Sequence, residues 1–170
     1  MKKALALALV LSLAPPLVGD TQPMPKVGLL GDVSWEPLKQ GLRELGYVEG
    51  KNLTFEAGRS EGRPARWPDF AVELGRLKVH VIVSLGTPAT LAAKQSTTTI
   101  PVVMTGTGDP VCTGLVASLS RPGGNVTGLS QLGAGLAAKR LELLKEIIPH
   151  VARVAVLWNP ANLDQKCHFN

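Results

Sequence analysis

The chain has 170 residues, 45% hydrophobic and 18% charged. That is enough for one packed domain and little more, and too apolar for a disordered chain. The net charge is +5, but the basic residues are scattered, which argues against the clustered footprint of a nucleic-acid-binding surface.

Residues 1–19 read as a signal peptide. Lys2 and Lys3 give a positive start, and 4–14 form an apolar run broken only by Ser12. The run is too short to span a bilayer and suits export, with Gly19 as the last residue removed. No cysteine lies near it, so lipid attachment is not expected. Without the two leader lysines the chain keeps 16 basic against 13 acidic residues. The expected destination is the periplasm.

The mature chain alternates short apolar runs with helical patterns. "KVGLLG" (26–31) is a buried strand. "WEPLKQGLRELG" (35–46) places Leu38, Leu42 and Leu45 on one helical face, with Gly46 as the stop. "NLTFEAG" (52–58) alternates as a half-exposed edge strand does. "PARWPDFAVELGRL" (64–77) spaces Trp67, Phe70, Ala71, Leu74 and Leu77 helically. "VHVIVSLG" (79–86) is a buried strand, with His80 as a strand residue rather than a metal ligand.

"TPATLAAKQS" (87–96) is a helix with Thr87 at the N-cap and Pro88 at N1. "PVVMTG" (101–106) is a strand. "DPVCTGLVASLS" (109–120) repeats the same helix opening, with Asp109 capping and Pro110 following. "NVTGLS" (125–130) is a fifth strand, and "GLAAKRLELLKEII" (135–148) an amphipathic helix. "RVAVLW" (153–158) is a sixth strand.

This alternation predicts an α/β fold, a doubly wound parallel sheet of order 2-1-3-4-5 with helices on both faces. Ligands of such sheets bind outside the carboxyl ends of the strands, near the point where strand order reverses. Three loops qualify: 31–35, 84–88 and 106–110. Helix N-termini there offer unpaired N–H groups and partial positive charge to a carboxylate or phosphate. Gly86 permits close backbone approach, Ser34, Thr87 and Thr107 add hydroxyls, and Trp35 offers a flat aromatic face. Asp109 is an acceptor and favours an amino group or hydroxyl. The plainer alternative is that Thr87 and Asp109 are only helix caps and that Trp35 staples its helix to the preceding loop.

Catalytic signatures are missing. The chain has no G-x-S-x-G elbow, phosphate-binding loop or dinucleotide fingerprint. No cofactor and no enzymatic activity are expected. Cys112 and Cys167 are too few for a disulfide framework and lack metal-site spacing. Cys112 reads as a space-filling residue.

Four blocks go beyond a generic α/β pattern: "GLRELGYVEGKNLTFE" (41–56), "LAAKQSTTTIPVVM" (91–104), "GDPVCTGLVASLSRPGGNVTGLS" (108–130) and "KRLELLKEIIPHVARVAVLWNP" (139–160). Together they resemble a bacterial family of ABC-transporter substrate-binding proteins that includes binding proteins for aromatic amino acids. The resemblance implies periplasmic-binding-protein type I architecture, with two lobes joined by hinge strands around a cleft. It places a first lobe at 26–127, a hinge crossing at 128–131 and the start of a second lobe at 132–170. It implies a small-molecule ligand such as an amino acid, delivered to an ABC permease and its ATPase. Asn159 would join Ser34, Trp35, Gly86, Thr87, Thr107 and Asp109 at the cleft.

The resemblance fades at Asn162, so a truncated second lobe is expected. Leu143, Ile147 and Val154 would then form an exposed apolar patch favouring self-association, and binding would be at least about tenfold weaker than for a complete cleft. Three alternatives to transport remain: a ligand-sensing domain of a signalling system, an enzyme on the same parallel-sheet scaffold, and a non-functional remnant.

Overall fold

Five short runs rich in β-branched and aliphatic residues form strands: β1 (Lys26–Leu30), β2 (Thr54–Gly58), β3 (Val81–Leu85), β4 (Val102–Thr107) and β5 (Val126–Ser130). Helices α1 (Glu36–Glu44), α2 (Trp67–Arg76) and α3 (Thr87–Ser96) fill the first three crossovers, and α4 (Ala137–Ile147) follows the sheet. The structure is a computed structural model describing residues 24–131, 133, 136–157, 159, 163 and 166–167. The expected signal peptide lies outside the described residues.

Every strand pairing is parallel, and the order is β2-β1-β3-β4-β5. This is the doubly wound sheet that the alternation predicts. β2 is an edge strand, as its half-exposed pattern requires.

Strand periodicity divides the core in two. Leu30, Ile82, Val102 and Met104 face one side of the sheet, where Trp67, Ala71 and Leu74 of α2 and Ala89, Ala92 and Ala93 of α3 cover them. Val27, Leu29, Val81, Val83 and Val103 face the other side and meet Trp35 and Leu42. Each fully buried Leu or Ile here contributes about 1.5–3 kcal/mol relative to an exposed one.

Three expectations change. Residues 109–120 do not form a helix. Asp109 Oδ1 accepts from the N–H groups of Val111 and Cys112, so the capping works, but Gly114 takes φ +70°. The chain turns back after one turn and drives Leu115 and Val116 into the core.

The expected strand at 153–158 does not form either. Described residues 151–157 carry no strand, and Leu157 is fully exposed. A strand satisfies its backbone only through a neighbour, and no described strand pairs with this segment. Trp158 lies outside the described residues.

The third change concerns the cysteines. Cys112 is exposed on its turn and does not fill a core space; it is joined to Cys167 by a disulfide across a sequence separation of 55. The link brings the C-terminal segment back to the loop after β4.

α4 buries none of its residues, and Leu141, Leu143 and Ile147 are exposed, as are Val154 and Val156. The expected apolar surface is therefore present.

β4 and β5 approach so closely at Gly128 that a Cβ there would overlap the Met104 carbonyl oxygen and lie 2.8 Å from its nitrogen. Gly128→Ala should lower stability by about 3 kcal/mol, at the upper end of overpacking costs. Urea unfolding monitored by circular dichroism checks this; an unchanged midpoint would show that the strands can part without cost.

Candidate functional site

A parallel sheet brings the carboxyl ends of all its strands to one edge. Four segments meet there: 31–35 after β1, 59–63 after β2, 86–87 between β3 and α3, and 106–110 at the end of β4. β1 lies between β2 and β3, so chain direction along the sheet reverses beside it. That reversal opens a crevice between loops leaving to opposite faces.

Gly86 begins α3 as its N-cap, with φ +79°. A side chain there would be strained, and nothing closer than Pro88 Cδ at 4.0 Å would meet its Cβ. The N-cap is therefore Gly86 rather than the expected Thr87, which occupies the first helical turn. The first N–H groups of a helix lack intrahelical acceptors. Pro88 has none to offer, which leaves those of Thr87 and Ala89 at this end. The Thr87 side chain is buried, and its hydroxyl accepts from Gly108 N–H at 3.4 Å, tying this junction to the loop after β4.

The other expected residues divide. Ser34 is exposed and its hydroxyl accepts from Glu36 N–H at 3.4 Å. Asp109 is half-buried beside the Gly108 backbone. Thr107 is fully buried, and its hydroxyl is directed to Met104 Sδ at 3.5 Å. Trp35 is only 9% exposed and packs into the core beneath α1. It acts here as the packed residue of the plainer alternative, although its indole N–H has no partner among the described residues. Asn159 is exposed, and the described residues 153–157 of the strand expected to precede it carry no strand.

A feature of the edge not anticipated from the sequence is the environment of Asp32. Its carboxylate accepts from the Ser60 hydroxyl and from the N–H groups of Ser60 (2.7 Å), Glu61 (3.2 Å) and Gly62 (3.3 Å). Glu61 and Gly62 have φ of 55° and 75°, a left-handed pair that turns successive N–H groups inward. The Ser60 hydroxyl is the main reason this carboxyl sits below its usual range; lost hydration pushes the other way, and the N–H groups of Gly62, Glu61 and Ser60 lower it further. An Asp just after β1 and a Ser-Glu-Gly turn just after the neighbouring β2 were the signal available in the sequence.

An apolar cavity of about 180 Å³ lies beside Thr87, lined by Pro64, Trp67, Pro68, Pro88, Leu91, Ala92, Gln95 and Leu163. Leu163 belongs to the segment held by the disulfide. Among the described residues no group of His, Cys, Asp and Glu could hold a metal ion.

Comparison with known proteins gives a consistent result. The family described as ABC transporter substrate binding protein matches residues 32–167. The Tyrosine-binding protein of Clostridioides difficile (strain R20291) is 32% identical over 127 residues, covering 75% of this chain and 36% of that protein. A conserved domain protein from Vibrio cholerae superposes with a TM-score of 0.78 at 35% identity. An ABC domain in complex with L-Trp from Streptococcus pneumonia superposes with a TM-score of 0.77 at 28% identity. Both alignments take in 86% of this chain and 51% of the other, so the chain spans about half the length of these structures.

The Asp32 contact should make stability depend on pH. A carboxyl whose pKa is depressed in the folded state contributes above its unfolded value, near 3.8, and loses that contribution as pH falls through the folded value. Asp32→Asn should therefore be less stable than the parent at pH 7, by on the order of 1 kcal/mol or less because the carboxylate is exposed. The difference should shrink progressively below about pH 3.8. Urea midpoints from pH 7 to 2.5 check it; a gap that stays constant would remove the charge from the explanation.

Proposed function

The chain belongs to the family of ABC transporter substrate-binding proteins, and from that premise we propose that it forms the first-lobe side of a cleft for a small molecule, an amino acid. The observation carrying this is the meeting, at one sheet edge, of an open helix N-terminus at Gly86–Thr87 with the carboxylate of Asp109. The first favours a ligand carboxylate and the second an ammonium group. The two loops are joined by the Gly108–Thr87 hydrogen bond, so they would act as one preformed surface. A tyrosine-binding relative and a neighbour in complex with L-Trp direct the choice toward aromatic amino acids.

In this reading the cleft is completed by a second lobe, with 128–131 as a hinge crossing and 132–170 as the beginning of that lobe. Closure follows from tighter binding to the closed form. The ligand is passed unchanged to a permease and its ATPase, and residues 1–19 direct export to the periplasm. Among the described residues no helix is long and apolar enough to cross a membrane. No catalytic step is required of the site. Ser34 contributes an accessible hydroxyl, Thr107 supports the following loop from the buried end of β4, Trp35 supports the first loop from the core, and Asn159 would face the ligand from the second-lobe side.

The exposed face of α4 with Val154 and Val156 favours pairing of two copies of this chain. Sedimentation velocity should show a concentration-dependent rise in mass that Leu143→Lys with Ile147→Glu abolishes. A monomer at all concentrations would oppose it.

Asp109→Asn keeps an oxygen to cap Val111 and Cys112 but removes the charge. It should weaken binding of L-tyrosine and L-tryptophan at least about tenfold, or 1.4 kcal/mol, with little change in stability. Titration calorimetry checks this; no amino-acid binding by the parent, or equal affinities, would sink the reading.

A further inference from the structure

The Cys112–Cys167 disulfide joins two places that the packed sheet does not need joined. Cys112 lies on the turn after β4, and Cys167 lies in the segment that carries Leu163. Neither core cluster contains a described residue beyond Val126. The turn is also held without the bond. Asp109 Oδ1 accepts from the N–H groups of Val111 and Cys112, and the Thr113 hydroxyl donates to Asp109 O at 2.8 Å. The N–H groups of Leu115 and Val116 both donate to Pro110 O, and their side chains anchor the turn in the core.

A disulfide stabilises a fold by restricting the unfolded chain. That gain requires native packing to hold both ends together already. On the Cys167 side, Leu163 is the described residue that reaches the body of the fold. It lines the apolar cavity where Trp67 and Pro68 of α2 face Pro88, Leu91 and Gln95 of α3, and it stays 41% exposed. One half-seated leucine is a weak contact, so the covalent link is what keeps the segment in place.

The length of the tether decides how firmly. Leu163 is a few residues from Cys167, so the intact bond holds it close to the groove. Without the bond, Leu163 is tied to the sheet only through the much longer stretch from Ser130 through α4. Effective concentration falls roughly as the −3/2 power of tether length, or more steeply, which here is a loss of about tenfold in groove occupancy.

The bond is also open to attack. Cys112 is exposed and Cys167 half-buried. Exposed disulfides are the labile ones in thiol exchange. We propose that Cys112–Cys167 is a redox latch: the intact bond docks Leu163 on the groove between α2 and α3, and reduction by a dithiol releases the segment and uncovers the groove. A thiolate of the dithiol attacks one sulfur of the link, forming a mixed disulfide and freeing the other cysteine. The second thiol of the reductant then displaces the remaining cysteine. Two electrons pass to the protein, each cysteine sulfur takes up one proton, and the reductant leaves as a disulfide. The alternative is a staple whose loss loosens the fold itself.

The test is ¹H–¹⁵N NMR of the ¹⁵N-labelled chain before and after dithiothreitol, with urea unfolding followed by circular dichroism. Iodoacetamide should label neither cysteine before reduction and both of them after it. Reduction should shift the Leu91, Ala92 and Gln95 amides and leave the urea midpoint unchanged, and oxidised glutathione should restore the first spectrum. Cys167→Ser should show the shifted spectrum without reductant and no further response to it. Leu163→Ala, with the bond intact, should shift the groove amides and blunt their response to dithiothreitol. The latch is overturned if the untreated chain is alkylated at both cysteines, or if the groove amides ignore reduction. A fall in the urea midpoint on reduction would identify a staple and overturn it as well.

Discussion

Parallel pairing constrains everything else in this molecule. Two adjacent parallel strands cannot be joined by a tight turn, so the chain must cross the sheet and return before the next strand begins. α1, α2 and α3 make three such returns. Each starts where a strand ends, which brings three helix N-termini to one edge. The chemistry of that edge, with exposed N–H groups and partial positive charge, is a consequence of strand direction before any side chain is considered. Side chains then refine it. Leu85 packs between Gly31 and Gly106, where built Cβ atoms would lie 3.0 Å from its Cβ and 3.1 Å from its Cδ1. One leucine thus lets the loops of β1 and β4 close on the end of β3.

Buried hydroxyls hold that edge rigid. Ser84 Oγ lies 2.8 Å from Thr90 Oγ1, which donates to Gly86 O at 2.8 Å. Thr105 Oγ1 donates to Ser84 O at 3.1 Å, and Gly86 N donates to Thr105 O at 2.9 Å. Ser84 and Thr90 are wholly buried. An unpaired hydroxyl in that position would cost about 1–3 kcal/mol, so each must find its partner, and together they accept only one arrangement of β3, β4 and α3. Aliphatic residues of the same size would pack but would not specify where Gly86 points. The polar groups inside the core therefore govern the geometry of the polar groups outside it.

What the sequence revealed and what it hid follow the range of the interactions involved. β1, β3 and β4 were visible because buried strands are continuous apolar runs, and the order of the sheet followed from β2 being amphipathic. α1, α2 and α3 were visible through their periodicity. At 109–120 the cap and proline were correctly read, but Gly114 in a left-handed conformation stops the helix, and Leu115 and Val116 are worth more in the core than on a helix. The N-cap moved from Thr87 to Gly86 because Thr87 finds Gly108 instead. Trp35 was placed in the right loop, while Thr107 proves to be the last residue of β4; which way a side chain turns depends on neighbours distant in sequence. The Asp32 contacts with 60–62 and the Cys112–Cys167 link join positions that no local pattern relates.

The C-terminal part shows the same distinction in its sharpest form. α4 buries none of its residues and no described strand pairs with 151–157, yet one is regular and the other is not. A helix closes its hydrogen bonds within its own segment, and Ala137, Ala138, Lys139, Leu141, Glu142 and Lys145 are all strong helix formers. The Lys139–Glu142 pair at 3.0 Å adds a small local contribution. Eleven residues is short for a helix standing alone in water, so α4 would gain from any surface that covers it. A strand has no such local solution. Arg153 to Leu157 carry the β-branched and aliphatic residues of a buried strand, but every backbone group on both sides needs a partner from elsewhere. The amino-acid pattern therefore states a preference that only another strand can realise, and among the described residues this segment stays irregular and exposed.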